Sequence, residues 1–219
     1  MIKTKNIFWY KEFDIQAQLP DNWVDLIMNV ALQNAVAKTL ISSSITSREI
    51  SKNEQIPVLT VGGHTINEEL PWLNKLYTGL IRDKAQTFTS EPVSIAKNIK
   101  YAINLNIQKG SMMRYECHVD SNPIAALLYV TSHPPGTGGE LVVSSDPSAR
   151  GIKAIQQNAT CIYPKSGTLV FFDGRHFPHY VAPLTNESDI RVVVAMNLYT
   201  DSAPETSRPA DLSKHLGID

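Results

Sequence analysis

From residue 99 onward the apolar pattern of this chain runs with a period of two, and no other feature restricts its fold as much. Tyr101, Ile103, Leu105 and Ile107 alternate with Asn104, Asn106 and Gln108, as expected of a strand with one apolar and one polar face. Further strands are predicted at 112–119, 124–131, 140–144, 159–163, 168–172 and 191–199, separated by the turn segments SNP, SHPPGTGG, PKSG and TNESD. Many short strands at this spacing form a β-sandwich or jelly roll.

The first half reads differently. Residues 20–39 place Trp23, Leu26, Ile27, Val30 and Ala31 at helical spacing, with Asp21 as the expected N-cap. A second helical stripe over 65–83 carries Trp72, Leu73, Leu76, Tyr77, Leu80 and Ile81, with Thr65 and Glu68 at capping-box spacing and Pro71 suited to a first turn. Between them IPVLTVG, 56–62, reads as a strand ending at a Gly-Gly turn. The expected class is therefore α+β, with N-terminal helices buttressing one sheet of a jelly roll. We expect one domain over 1–219: a mainly helical support region at 1–98, a jelly-roll core at 99–199, and a polar tail or lid at 200–219.

Composition excludes some functions. A net charge of −1 gives no broad attraction to nucleic acid or to an anionic membrane. No apolar run approaches the roughly 20 residues that cross a bilayer, and the opening MIKTKNIFWYKEFDIQ lacks the apolar core of a signal peptide. Cys117 and Cys161, without CxxC spacing, are expected as free thiols of a cytoplasmic protein.

The chemistry centres on His118-Val119-Asp120. Two ligands two residues apart on a strand point to the same side, and a histidine from another strand would complete a two-histidine, one-carboxylate face suited to non-haem Fe(II). An H-x-D triplet alone is common by chance. Met112, Arg114, Glu116, His118 and Asp120 share one face, with Met113, Tyr115, Cys117 and Val119 on the other. Such a polar row is either solvated or, if buried, in need of partners or a metal. His176 and His179 both follow the apolar strand TLVFF, and either could complete the triad. Arg191 opens RVVVAMNLY on a face with Val193, Ala195, Asn197 and Tyr199. It either reaches water or, if buried, pairs with an anion, for which its donor fork matches a carboxylate.

Between Asn104 and Tyr199 the chain resembles the Fe(II)- and 2-oxoglutarate-dependent dioxygenase superfamily, in its prolyl-4-hydroxylase-like branch. The resemblance is carried by H-x-D at His118 and Asp120, LLYV at 127–130, GGEL at 138–141, SGTLVFF at 166–172, H-x-V-x-P at 179–183 and Arg191, in the family's order. It implies a distorted double-stranded β-helix, with His118, Asp120 and His179 as catalytic metal ligands. His179 is preferred to His176 because of the YVAP that follows it. Arg191 and Tyr129 are implied as contacts to the distal carboxylate of 2-oxoglutarate. Some relatives carry a serine or threonine two residues after the arginine; here Val193 stands there, leaving Tyr129 or Thr131 to supply the second contact. Asn104, Asn106 and Gln108 are further candidates for the cosubstrate or substrate. TNESD makes the interval from His179 to Arg191 slightly longer than is common in the family.

The implied cofactors are Fe(II), 2-oxoglutarate and O2, and the implied reaction is hydroxylation of an unactivated C–H bond with release of succinate and CO2. Asp120 favours hydroxylation, desaturation or cyclisation over halogenation. The expected substrate is a small molecule such as an amino acid or a carrier-linked or peptide-like metabolite. Arg114, Glu116, Glu140 and Asn197 are candidate contacts to it, with a solvated face as the alternative for each. The competing readings are a prolyl-type protein or peptide hydroxylase and a non-catalytic cupin-like binding protein. Neither nucleic acid nor membrane is an expected partner, and monomer and homodimer stand equally open.

Overall fold

The computed structural model describes residues 8–216, the helix-ending Leu216 by its backbone alone; the first seven residues of the opening segment lie outside it. Twelve strands run along the described residues. In order they are β1 (Tyr10–Asp14), β2 (Val36–Ile41), β3 (Gln55–Val61), β4 (Val93–Ile95), β5 (Ile103–Lys109), β6 (Tyr115–His118), β7 (Ile124–Tyr129), β8 (Leu141–Ser144), β9 (Ala159–Ile162), β10 (Thr168–Phe172), β11 (His179–Val181) and β12 (Ile190–Thr200). They form an eight-stranded antiparallel sheet, β1-β10-β7-β12-β5-β3-β2 with β4 on β12, and a four-stranded sheet, β6-β11-β8-β9. The mixed class dominated by antiparallel sheet agrees with the expectation from the alternating pattern.

The α-helices are α1 (Trp23–Asn34), α2 (Gly63–Glu69), α3 (Pro71–Leu76), α4 (Arg82–Gln86), α5 (Ile99–Ala102), α6 (Gly151–Gln156) and α7 (Leu212–Leu216). A wider, π-type turn at Tyr77–Ile81 joins α3 to α4. Trp23, Ile27, Val30 and Ala31 of α1 pack with Ile66, Leu73, Tyr77 and Ile81 against one face of the larger sheet, including Leu105, Ile107, Val192 and Val194. Those sheet residues alternate along β5 and β12 with the ones that face the other way. Full burial of an aliphatic side chain contributes about 1.5–3 kcal/mol. Trimming one methyl group in Ile27→Val should therefore cost about 0.5–1.5 kcal/mol, read as a lower chemical-denaturation midpoint with an unchanged slope.

Several local expectations are corrected. Helix α1 stops at Asn34 rather than reaching residue 39, because Ala35 is extended and Val36–Ile41 pairs antiparallel with β3. Asp21 is not its N-cap; Asn22 holds that position without a side-chain capping bond. Thr65 lies inside α2, which starts at Gly63, whereas Pro71 does open α3. The region 1–98 is less helical than expected, since β1, β2, β3 and β4 extend the larger sheet. Residues 99–102 form a helical turn before β5 begins. Both cysteines are free, Cys117 buried and Cys161 exposed. Among the described residues, no helix is long and apolar enough to cross a membrane.

Candidate metal centre

The inward faces of the two sheets enclose a cavity of about 180 Å³. Strands β6 and β11 are neighbours in the smaller sheet, and their register sets His118 directly opposite His179. The two ring centroids are 4.2 Å apart. Each ring turns Nδ1 to the backbone carbonyl two residues before it: His118 to Glu116 at 2.8 Å and His179 to Phe177 at 3.0 Å. A carbonyl only accepts, so both Nδ1 atoms carry hydrogen, an assignment that follows from the partners.

Both Nε2 atoms consequently face Asp120, whose Oδ1 lies 3.4 Å from His118 and 3.7 Å from His179. One ligand atom from each of the three residues lies within 4.8 Å of the others. The cluster calls for positive charge. Burial opposes a charge on His118, but the Asp120 and Glu116 carboxylates outweigh it and hold its pKa up at about 9. Burial, and then His118 itself, push His179 down to about 4. Two imidazoles and one carboxylate beside a cavity suit a divalent cation with exchangeable positions, and the Nδ1 bonds are the outer support such ligands need.

Asp120 is set by the turn after β10. Its N–H donates to the Gly174 carbonyl at 2.8 Å, while the Val119 N–H donates to Thr46 at 2.9 Å. A Cβ at Gly174 would stand 1.9 Å from Asp120 Oδ2, so any side chain there displaces the carboxylate. Gly174→Ala should weaken divalent-metal binding about 10–100-fold, the usual cost of losing a ligand's support, with the circular dichroism spectrum preserved. Unchanged affinity in a metal titration would show that the turn does not position Asp120.

Arg191 opens the inward face of β12 and is only 1% exposed. Its Nε donates to Gly139 at 2.8 Å, whereas Nη2 has no partner. Gly139 has a φ of 77°, and a Cβ there would press on the arginine Cδ at 3.1 Å, which accounts for glycine in the GGEL segment. No carboxylate forms an ion pair with Arg191 among the described residues. Burial pushes its pKa down despite the nearby Tyr129 and Glu140. The Tyr129 ring centroid lies 5.6 Å from the guanidinium carbon, and its buried hydroxyl also lacks a hydrogen bond of normal geometry. Burial, only partly countered by Arg191, raises the Tyr129 pKa to about 12, so this hydroxyl stays a neutral donor. Two buried donors without acceptors fit the carboxylate of a bound acid.

The other candidates divide. Asn104, Asn106, Gln108 and Asn197 are on the cavity wall; Asn104 donates to Asn106 at 2.6 Å, and Asn197 to the Tyr101 carbonyl at 2.6 Å. Gln108 donates to the Met113 and Ala182 carbonyls, and its Oε1 has no partner. Arg114 and Glu116 also reach the wall, yet their charges are already engaged. Arg114 pairs with Glu49 at 2.7 Å and Glu54 at 2.6 Å, and Glu116 faces His215 of α7 at 2.5 Å. Glu140 is not on this wall, although its Oε2 is buried without a partner.

Thr131 is not brought to the cavity. The chain turns away after Tyr129, and the Thr131 hydroxyl accepts from Val192 N–H beside a separate cleft with His133 and Ser188. His176 is exposed and held by Asp173 at 2.9 Å, outside the triad. The face assignment on β6 holds only in part: Cys117 is buried off the cavity, but Met113, Tyr115 and Val119 all line it, the Tyr115 ring centroid 5.3 Å from His118.

Sequence reasoning missed Glu49, Glu54 and His215, whose partners lie 65, 60 and 99 positions away along the chain. It also missed Lys38, Thr60, Lys100 and Leu212, which are among the residues that line the wall. Residues 101–199 match the family model described as the 2OG-Fe(II) oxygenase superfamily. The fold is similar to that of a 2OG-Fe(II) oxygenase family oxidoreductase from Burkholderia pseudomallei, with a TM-score of 0.60, 11% identity, and 91% of this chain and 89% of that one covered. It is also similar to SnoK, the non-heme alpha ketoglutarate dependent carbocyclase from nogalamycin biosynthesis, at TM-score 0.58 and 14% identity, covering 88% and 79%. A Trichoplax adhaerens prolyl hydroxylase, solved with a hypoxia inducible factor peptide fragment, gives 0.58 and 15%, covering 91% and 87%. No curated protein sequence matches the chain.

Proposed function

With residues 101–199 matching the 2OG-Fe(II) oxygenase superfamily, we propose that the chain hydroxylates an unactivated C–H bond of a small molecule at the His118–Asp120–His179 centre. The observation that carries this reading is the pairing of two features in one cavity. Three metal-ligating atoms lie within 4.8 Å of one another, and the wall beside them holds a buried arginine with an unpartnered Nη2.

In this reading His118, Asp120 and His179 hold Fe(II). Arg191 receives the distal carboxylate of 2-oxoglutarate in its donor fork, and Tyr129 adds the second donor. When bound, Fe(II) with 2-oxoglutarate and O2 supplies the oxidising power, and succinate and CO2 are the co-products. The chain's own work is orientation and exclusion of water. The hydrogen bond to Gly139 aims the guanidinium; Leu127, Val193 and Phe172 give the same cavity an apolar lining. Asn106 and Asn197 offer amides to cosubstrate or substrate.

A small substrate is favoured because the cavity is enclosed from the C-terminal side. Leu212 and His215 of α7 line it, and His215 ties that helix to the Ile41 carbonyl at 2.7 Å and to Glu116. The segment after residue 199 therefore acts as a cover in this reading, and Arg114 and Glu116 serve as wall and anchor rather than as direct substrate contacts.

The test is Fe(II)-dependent conversion of 2-oxoglutarate to succinate by the purified chain, screened against amino acids and short peptides. Release stimulated by a small molecule supports the proposal. Stimulation by peptides alone would replace the substrate class, and no iron-dependent succinate under any condition would overturn the assignment.

A further inference from the structure

The strand that carries His118 is flanked on both sides. On one side β11 sets His179 opposite it. On the other runs the connection from β2 to β3, residues 42–54, where Ser47 forms an isolated antiparallel bridge to His118. Successive residues of a strand turn their N–H and C=O groups to alternate sides, so Cys117 and Val119 both present theirs to this connection. The Val119 N–H donates to the Thr46 carbonyl at 2.9 Å, and the Cys117 carbonyl accepts from the Arg48 N–H at 2.6 Å. The Cys117 N–H departs from the pattern and donates to a side chain, Glu49 Oε1, at 2.6 Å. A carboxylate thus stands where a ladder would place a backbone carbonyl.

Glu49 is 4% exposed, and the same Oε1 accepts from Arg114 Nη1 at 2.7 Å. Arg114 precedes β6, and its Nη2 donates to Glu54 at 2.6 Å, so one guanidinium joins the connection to the start of the strand. The connection is itself tied down. Arg48 Nη1 donates to the Ile45 and Ser47 carbonyls, each at 3.0 Å, and the Arg48 carbonyl accepts from the Gly151 N–H at 2.7 Å. This strut comes from outside the segment that matches the family model, 101–199.

We propose that Glu49 is a positioning residue for the metal centre: its carboxylate oxygen fixes the Cys117 backbone and, through it, the direction in which His118 and Asp120 leave β6. The proposal rests on the reading of His118, Asp120 and His179 as metal ligands. The physical warrant is that a buried N–H without an acceptor is costly. Losing Oε1 therefore turns the Cys117 peptide, next to His118, toward another partner. Reach matters more than charge here. An amide oxygen also has two lone pairs and can accept both donors, whereas a side chain shorter by one methylene withdraws its oxygen.

The experiment measures Co(II) binding by calorimetry and by the visible d–d bands of the loaded protein, which report ligand geometry. Glu49→Asp keeps the charge but retracts the oxygen. It should weaken Co(II) about ten-fold, the lower end of the loss from removing a ligand's support, and shift the bands. Glu49→Gln keeps the reach without the charge and should match the parent in both. Ile27→Val, which lowers stability away from β6, should change neither affinity nor bands, and so separates positioning from a general loss of stability. Parent-like affinity and bands in Glu49→Asp would overturn the proposal. So would the reverse order, Asp tolerated and Gln damaging, because Glu49 would then only balance Arg114. Amide exchange of the metal-free protein is the second measurement. Exchange at Cys117 and Val119 should be faster in Glu49→Asp and parent-like in Glu49→Gln; no acceleration in Glu49→Asp would also overturn the proposal. A parent protein that bound no Co(II) would count against the metal-centre reading, while the exchange arm still judges whether Glu49 holds β6.

Discussion

Asp120→Ala is expected to leave the chain folded and to lower its divalent-metal affinity by more than about 100-fold, beyond the usual loss from removing an outer-shell partner. The backbone at residue 120 stays anchored, since its N–H bond to Gly174 and the neighbouring Val119 bond to Thr46 do not involve the side chain. The carboxylate is the only anionic member of the three-residue cluster. Without it the two Nε2 atoms face each other across an uncharged gap, and a bound cation loses both a ligand and its charge balance. Iron-dependent succinate formation should fall to background in the same variant. A metal titration monitored together with circular dichroism checks both halves of the claim. Retained affinity would show that the cation, if any, sits elsewhere.

Arg191→Met should separate binding from stability. Methionine keeps the apolar stem but removes the donor fork, and one charged hydrogen-bonded contact is worth about 1.5–3 kcal/mol. The affinity for 2-oxoglutarate should therefore fall roughly 10- to 150-fold, a factor of ten corresponding to about 1.4 kcal/mol. The unliganded protein should not lose stability to match. The guanidinium is buried with one nitrogen unpartnered and, among the described residues, no carboxylate paired to it, a charge whose desolvation the fold does not recover until an anion arrives. Thermal unfolding without ligand should give a melting temperature equal to or above the parent's, and 2-oxoglutarate should raise it far less than in the parent. A large destabilisation of the ligand-free variant would show that Arg191 holds the fold rather than the cosubstrate.

The legible parts of this chain were those written in short-range pattern. Alternation along β5 and β12 separates Leu105, Ile107, Val192 and Val194, which pack on the helices, from Asn106, Arg191 and Asn197, which face the cavity. The two-residue spacing of His118 and Asp120 could be read directly, because it follows from strand geometry. β2 was hidden because Val36–Ile41 directly continues a helical stripe, and only pairing with β3 makes it a strand. Thr131 was misplaced because periodicity extends a strand without saying where the chain leaves the sheet. The pairs Arg114–Glu49 and Glu116–His215 join segments far apart in sequence, so no local signal announces them. Lys38 looks like an ordinary surface lysine until the sheet order brings β2 to the cavity.

The central claim is that one cavity holds Fe(II) on His118, Asp120 and His179 while Arg191 receives 2-oxoglutarate. It is tested most directly by anaerobic addition of Fe(II) and then 2-oxoglutarate, followed by visible absorption. A weak metal-to-ligand charge-transfer band should grow to saturation at one equivalent of iron. It should need much more 2-oxoglutarate in Arg191→Met and be absent in Asp120→Ala. A parent protein that binds iron but shows no band, or a band that survives loss of Asp120, would contradict the account.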